Sequence, residues 1–127
     1  MKVVFFSESQ IVGKVDRYFD NARNDIAWSI MMDADWCPYG RQPEGKYDVG
    51  VVTIPKTRPD LDINSFRQYC DKVVVMQEGP HWYFQDYSVE QQFQFVQNLR
   101  NADWVWCNNK SDIGYYKGLG CKDVRVM

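Results

Sequence analysis

The sequence is poor in the residues that usually build metal and redox centres. It holds one histidine, His81, and four cysteines, Cys37, Cys70, Cys107 and Cys121, with no Cys-x-x-Cys pair. Those spacings do not match a zinc site, so no metal is expected. Nor do they suggest a disulfide framework; they read as reduced, mostly buried thiols of a cytoplasmic protein. No apolar run approaches the ~20 residues that span a bilayer, so no transmembrane segment is expected. The opening MKVVFF lacks the long apolar region and small-residue cleavage site of a signal peptide, and reads as a strand. A basic excess is also missing: 15 Lys and Arg face 17 Asp and Glu, a net charge of −2. Nucleic acid is therefore not an expected partner, because binding it requires many neutralised phosphates. Gly13 follows the first strand too late for a phosphate cradle, and neither G-x-G-x-x-G nor the P-loop pattern occurs. No bound cofactor is expected. The absence of an acidic pair after the first strand also argues against a phospho-receiver.

What is present is a chain of 127 residues, the size of one domain with a real core. Aromatics make up 16% of it, so most must lie in that core. Trp36, Tyr39, Trp82 and Tyr83 fall in predicted loops, where they either stack on a sugar or base or pack onto their own loops.

Apolar runs and helical stripes alternate along the chain. Lys2 to Phe6 reads as the first strand, and Ser7 with Gln10 has the spacing of a capping box. Ile11, Val15, Tyr18, Phe19 and Ala22 recur at helical spacing, and Asn24-Asp25 ends that helix. Ile26 to Met32 reads as a second strand. Asp33 to Tyr47, with two prolines and two glycines, reads as a long loop, either functional or mobile. Asp33 and Asp35 there form either a carboxylate pair or two solvated acids. Asp48 to Ile54 is the third strand, and Asp62 is placed to cap a helix facing the core through Ile63, Phe66 and Cys70.

Val73 to Met76 is an uninterrupted apolar run that stops at Gln77-Glu78-Gly79-Pro80, the mark of a buried fourth strand. Ser88 with Gln91 has capping-box form, and Val89, Phe93, Val96 and Leu99 are the expected core stripe of the next helix, with Phe95 and Ala102 broadening it. Trp104 to Cys107 is the fifth strand. Ser111 is placed to cap a short helix that ends near Gly118 and Gly120, and Asp123 to Met127 is the last strand. This alternation predicts an α/β, three-layer sandwich with a mainly parallel, doubly wound sheet of about six strands, in a single domain over residues 1–127. The first strand is expected to be central, with the fourth beside it.

In such a sheet, ligands bind outside the carboxyl ends of the strands. Three ends are polar: Ser7-Glu8-Ser9, Gln77-Glu78-Gly79 and Asn108-Asn109-Lys110-Ser111. They supply either hydroxyl and anion contacts or merely the caps of the following helices. His81 is either a general base or a structural residue.

The segment from Ala102 to Met127 resembles the corresponding part of the N-terminal, acceptor-side domain of GT-B fold glycosyltransferases of the retaining group 1 type. Ala102-Asp103, Ser111, Leu119-Gly120 and Val124 to Val126 carry the likeness, and VVVMQEGPHWYF looks like that family's fourth-strand end. The family's glycine pair after the first strand is replaced by Ser7-Glu8-Ser9-Gln10. The resemblance implies a Rossmann-like acceptor domain, the N-terminal half of a two-domain enzyme that transfers a sugar from a nucleotide-sugar co-substrate to a carbohydrate or other hydroxyl acceptor. It implies that Glu78 and His81 are the catalytic contacts. Ser7, Glu8, Ser9, Gln77, Gly79, Trp82, Tyr83, Asn108, Asn109, Lys110 and Ser111 would bind substrate. The nucleotide sugar would be held mainly by a C-terminal domain outside this sequence, leaving this chain alone inactive. The alternatives are a non-catalytic α/β binding module and a small enzyme acting alone.

Overall fold

A computed structural model describes residues 1–7, 13–14, 24–54, 58, 60–77 and 85–126. Six strands run parallel: β1 (Val3–Ser7), β3 (Asp35–Pro38), β4 (Tyr47–Thr53), β5 (Cys70–Met76), β6 (Trp104–Cys107) and β7 (Val124–Val126). A two-residue strand, β2 (Gly13–Lys14), adds antiparallel to β3. The order across the sheet is β2-β3-β1-β4-β5-β6-β7. The predicted α/β sandwich with a parallel sheet is therefore present.

Side chains alternate between the faces along each strand, and two cores result. Val4 and Phe6 join the larger, with Val52, Val73, Val75, Val105 and residues of the following helices. Val3 and Phe5 join the smaller, with Trp36, Val51, Val74 and Met76, against which Trp28, Ile30 and Met32 pack. Helices thus lie on both faces. A helix α1 (Asn24–Met31) serves the second face. A 3-10 helix (Ile63–Gln68), α2 (Val89–Asn101) and α3 (Ile113–Gly118) serve the first. Among the described residues, no helix is long and apolar enough to cross a membrane.

Several expectations are corrected. Ile26 to Met32 is not a strand; α1 occupies Asn24–Met31, so Asn24-Asp25 begins a helix instead of ending one. An apolar run of that length fits a strand or a buried helix equally well by pattern. What settles it is the end of the helix. The Ala34 N–H donates to the Ser29 carbonyl at 2.9 Å and the Asp33 N–H to Ile30 at 3.1 Å. Asp33 sits between them at φ 51, the left-handed position where such a motif usually places glycine. The true second parallel strand, β3, lies inside the segment expected to be loop, and Trp36 is core, stacked on Phe5 at 6.2 Å between ring centroids. Gly13–Lys14 pairs as strand within the expected first helix, whose remaining stripe falls outside the described residues.

The fourth predicted strand starts earlier than expected, at Cys70, and it does not neighbour the first: β4 lies between them. The chain leaves β3, crosses β1 through residues 39–46 without a helix, and enters β4 on β1's other side.

Helix α2 has the expected capping box, with the Gln91 N–H donating to Ser88 Oγ at 3.2 Å and the Ser88 N–H to Gln91 Oε1 at 3.0 Å. Of the expected stripe, Leu99 and the flanking Phe95 and Ala102 do face the core, but its first two turns do not. Phe95, Asn98 and Leu99 are buried, while Val89 is 84% and Phe93 65% exposed. The reason is Asn98. Its Nδ2 donates to the Leu61 carbonyl at 2.7 Å and its Oδ1 accepts the Ile63 N–H at 3.0 Å. A buried amide satisfying two backbone groups of a neighbouring segment fixes which way the helix faces. Asp62 caps the 3-10 helix as expected, accepting the Asn64 N–H at 3.0 Å.

The Ala102-Asp103 pair has a clear structural task. Ala102 is fully buried, and Asp103 Oδ2 accepts both the Val73 N–H at 2.8 Å and Arg67 Nη1 at 2.9 Å. Arg67 Nη2 also donates to the Asn101 carbonyl at 2.6 Å. One carboxylate thereby joins the start of β6, the body of β5 and the 3-10 helix. Burial pushes the Asp103 carboxyl up, but its Val73 and Arg67 partners outweigh that and hold it below the usual carboxylate range.

Candidate functional site

The parallel sheet brings Ser7, Pro38, Thr53, Gln77 and Asn108 to or just beyond the carboxyl ends of β1, β3, β4, β5 and β6. The winding reverses between β1 and β4: the chain goes from β1 to one side, into β3, and then to the other, into β4. A reversal of this kind splays the two connections apart and leaves a crevice, where open α/β sheets bind ligands.

On the β1–β4 side, Tyr39 bridges the two strand ends. Its N–H donates to the Ser7 carbonyl at 2.8 Å and its hydroxyl donates to the Thr53 carbonyl, so one residue links the ends of both strands. The Tyr39 ring packs on Phe66, with centroids 6.2 Å apart, and the Arg58 guanidinium lies 5.4 Å from its centroid. Ser7 is 1% exposed.

On the β5–β6 side, Gln77 is 6% exposed and its side chain ties the two strand ends together. Nε2 donates to Asp112 Oδ2 at 2.9 Å, and Oε1 accepts the Asn108 N–H at 2.8 Å. The Gln77 N–H donates to the Trp106 carbonyl at 2.8 Å. Asn109, Lys110 and Ser111 are exposed and follow as a turn of 3-10 helix (Lys110–Asp112). Ser111 does not cap α3: Asp112 stands at that helix's N-cap, and the Ser111 hydroxyl donates to Asn109 Oδ1 instead. Asp112, 7% exposed, is the residue the sequence reading passed over, and it carries the Gln77 contact. Its signal was weak, an acid in the first turn after a strand.

Ser7, Gln77, Asn108, Asn109, Lys110 and Ser111 therefore share one end of the sheet. Glu8, Ser9, Glu78, Gly79, His81, Trp82 and Tyr83 lie outside the described residues.

The thiols are not poised as nucleophiles. All four cysteines are free, and burial pushes Cys70 and Cys121 up to about 11. Burial also raises Cys37, with nearby Arg41 pulling the other way. Cys107 is raised by burial and then by Asp112. A neutral thiol attacks poorly. Among the described residues, no group of three or more His, Cys, Asp or Glu is placed to hold a metal ion.

A cavity of about 410 Å³ lies at the opposite, amino end of the sheet, lined by Lys2, Asp35, Trp36, Cys37, residues 41–44 and Tyr47. Its wall is internally paired. The Tyr47 hydroxyl donates to Asp35 Oδ2 at 2.7 Å, and Lys2 Nζ sits 4.6 Å from the Tyr47 ring centroid. Burial and then that carboxylate push the Tyr47 phenol well above its ordinary range. Asp35 is thus a partnered acid and not half of a free pair with Asp33. Comparison of the chain with protein-family models, with curated proteins and with solved structures finds no match.

Proposed function

We propose that this chain is the acceptor-binding domain of a glycosyltransferase that transfers a sugar from a nucleotide-sugar donor to a hydroxyl acceptor. The observation that carries the reading is the set of polar residues at the carboxyl ends of β1, β4, β5 and β6, beside the reversal of strand order between β1 and β4. Hydroxyls of an acceptor would find the exposed Asn108, Asn109, Lys110 and Ser111 along this rim of strand ends, while Ser7, 1% exposed, lies beneath it and supports it from below. Glu78 and His81, with the Trp82 and Tyr83 rings, would complete it from the segment that follows Gln77. Gln77 works indirectly, by holding Asn108 and Asp112 in place. The donor would be held by a second domain, and closure of the two would align the reacting groups and exclude water. Good alignment supplies up to about 7–11 kcal/mol of the barrier.

A non-catalytic binding module is the second reading. It is favoured by Gln77 and Asp112, two of the rim's buried polar groups, being committed to each other.

Two variants test the assignment. Glu78→Gln and His81→Ala should each weaken acceptor binding by about 1.5–3 kcal/mol while the melting temperature stays put, the size expected for losing a hydrogen bond to a charged group. Unchanged acceptor binding with lowered melting temperature would reduce both residues to bracing. Calorimetry with UDP-glucose supplies the second arm: the chain alone should bind it weakly. A micromolar constant, about −8 kcal/mol, would place the donor site in this domain and overturn the division of labour.

A further inference from the structure

Among the described residues, Arg58 stands near the ends of β1 and β4 with a chemistry that the acceptor reading leaves unused. Its guanidinium lies 5.4 Å from the centroid of the Tyr39 ring, and Tyr39 itself is bonded to the end strand residues Ser7 and Thr53. The only ion pair it forms among the described residues is with Asp60, at 3.5 Å from Nε, and both side chains are exposed, at 38% and 76%. An exposed pair at that distance contributes little and is readily exchanged. The two terminal amines make no hydrogen bond among the described residues. A guanidinium is a planar fork of donors that takes a carboxylate or a phosphate bidentately, and this one stands over the Tyr39 ring.

We infer that the ligand taken at the crevice between β1 and β4 carries an anionic group, received by Arg58. The inference rests on the acceptor-binding reading and narrows it: the acceptor is an acidic or phosphorylated sugar. Tyr39 sets the depth of the subsite, because its ring supports the guanidinium and its two hydrogen bonds keep that ring over the strand ends.

Titration calorimetry on the full chain with glucose, glucuronate, glucose 6-phosphate and inorganic phosphate separates the possibilities. Wild type should bind glucuronate or glucose 6-phosphate at least tenfold more tightly than glucose. Arg58→Gln should abolish that advantage and Arg58→Lys should keep part of it. Arg125→Gln, which removes an exposed cation stacked on Trp104, serves as a charge-matched control and should change nothing. Glucose binding as well as the anionic sugars, with Arg58→Gln silent, would overturn the inference and leave the acceptor reading standing. Inorganic phosphate binding as tightly as glucose 6-phosphate in an Arg58-dependent way would keep the anion subsite and remove the sugar. No binding of any probe at millimolar concentration would overturn both.

Discussion

Replacing Gln77 by Glu changes one atom type at the centre of the rim and has a calculable cost. Gln77 Nε2 donates to Asp112 Oδ2 at 2.9 Å with both residues buried. Glutamate keeps the oxygen that accepts the Asn108 N–H but sets a second carboxylate oxygen against Asp112. At that separation two unit charges repel by about 6 kcal/mol with an effective dielectric of 20. A cheaper route exists, which is to take up a proton. Protonating a carboxyl of reference pKa about 4.3 at pH 7 costs about 4 kcal/mol, from about 1.4 kcal/mol per pKa unit. The lower cost wins, so the variant should bind one proton and restore an O–H···O bond to Asp112. The loss of stability should then be about 3–4 kcal/mol at pH 7 and about 1 kcal/mol at pH 5. The sign follows from linkage: the folded-state pKa of the new carboxyl is raised, so the native state holds more protons than the unfolded one, and stability falls as pH rises. Urea unfolding of both proteins at the two pH values measures this. An equal loss at pH 5 and pH 7, or none, would refute the reasoning.

Gly50→Ala should destabilise by about 1–3 kcal/mol, because the added Cβ would stand 2.6 Å from Cys70 Sγ and 3.1 Å from the Phe6 ring. Pairing it with Cys70→Ala should recover part of the loss in the same urea assay. Asp33→Gly should be more stable than Asp33→Ala by about 1 kcal/mol, since only glycine takes φ 51 without a steric cost; equal melting temperatures would contradict the left-handed helix end. Asp103 has a lowered folded-state pKa, so its contribution is present above the unfolded value of about 3.9 and lost as pH falls through the folded one. Asp103→Asn should flatten that acid limb of the stability curve, and a wild-type-like limb would show that Asp103 does not produce it.

Strands β1, β4, β5 and β6 were legible because they are β-branched or aromatic runs closed by strong breakers, whereas β3, Asp35–Pro38, was hidden in a stretch whose prolines and glycines read as loop. Val73 to Met76, ending at Gln77 and the Gly-Pro beyond, is the clearest case. Buried strands announce themselves by continuity. The order of the strands was not legible, since nothing in Asp48 to Thr53 says on which side of β1 it will pair. That is decided by the short connection through residues 39–46, whose Tyr39 contacts are made only in the folded chain. Ile26 to Met32 was misread because an apolar run without clear period serves a helix as well as a strand, and the Asp33 helix end carries no glycine to mark it. The exposure of Val89 and Phe93 at the start of α2 was hidden for a different reason. Periodicity counts apolar residues, whereas the buried face is set by Asn98, a polar one. At the rim, Ser7, Gln77 and Asn108 could be placed from strand ends alone; Asp112, Tyr39 and Arg58 could not, because their roles depend on contacts between distant segments.

The most direct test of the account is a map of where a saccharide touches the chain. Amide ¹H–¹⁵N spectra recorded while methyl glucoside and glucuronate are titrated to millimolar concentration report every backbone N–H at once. Shifts should cluster at Ser7, Tyr39, Thr53, Gln77 and residues 108–111, with Lys2, Asp35 and Tyr47 at the far end of the sheet unmoved. Shifts centred instead on the 410 Å³ cavity of Asp35, residues 41–44 and Tyr47 would contradict it and move the binding site to the opposite end of the domain.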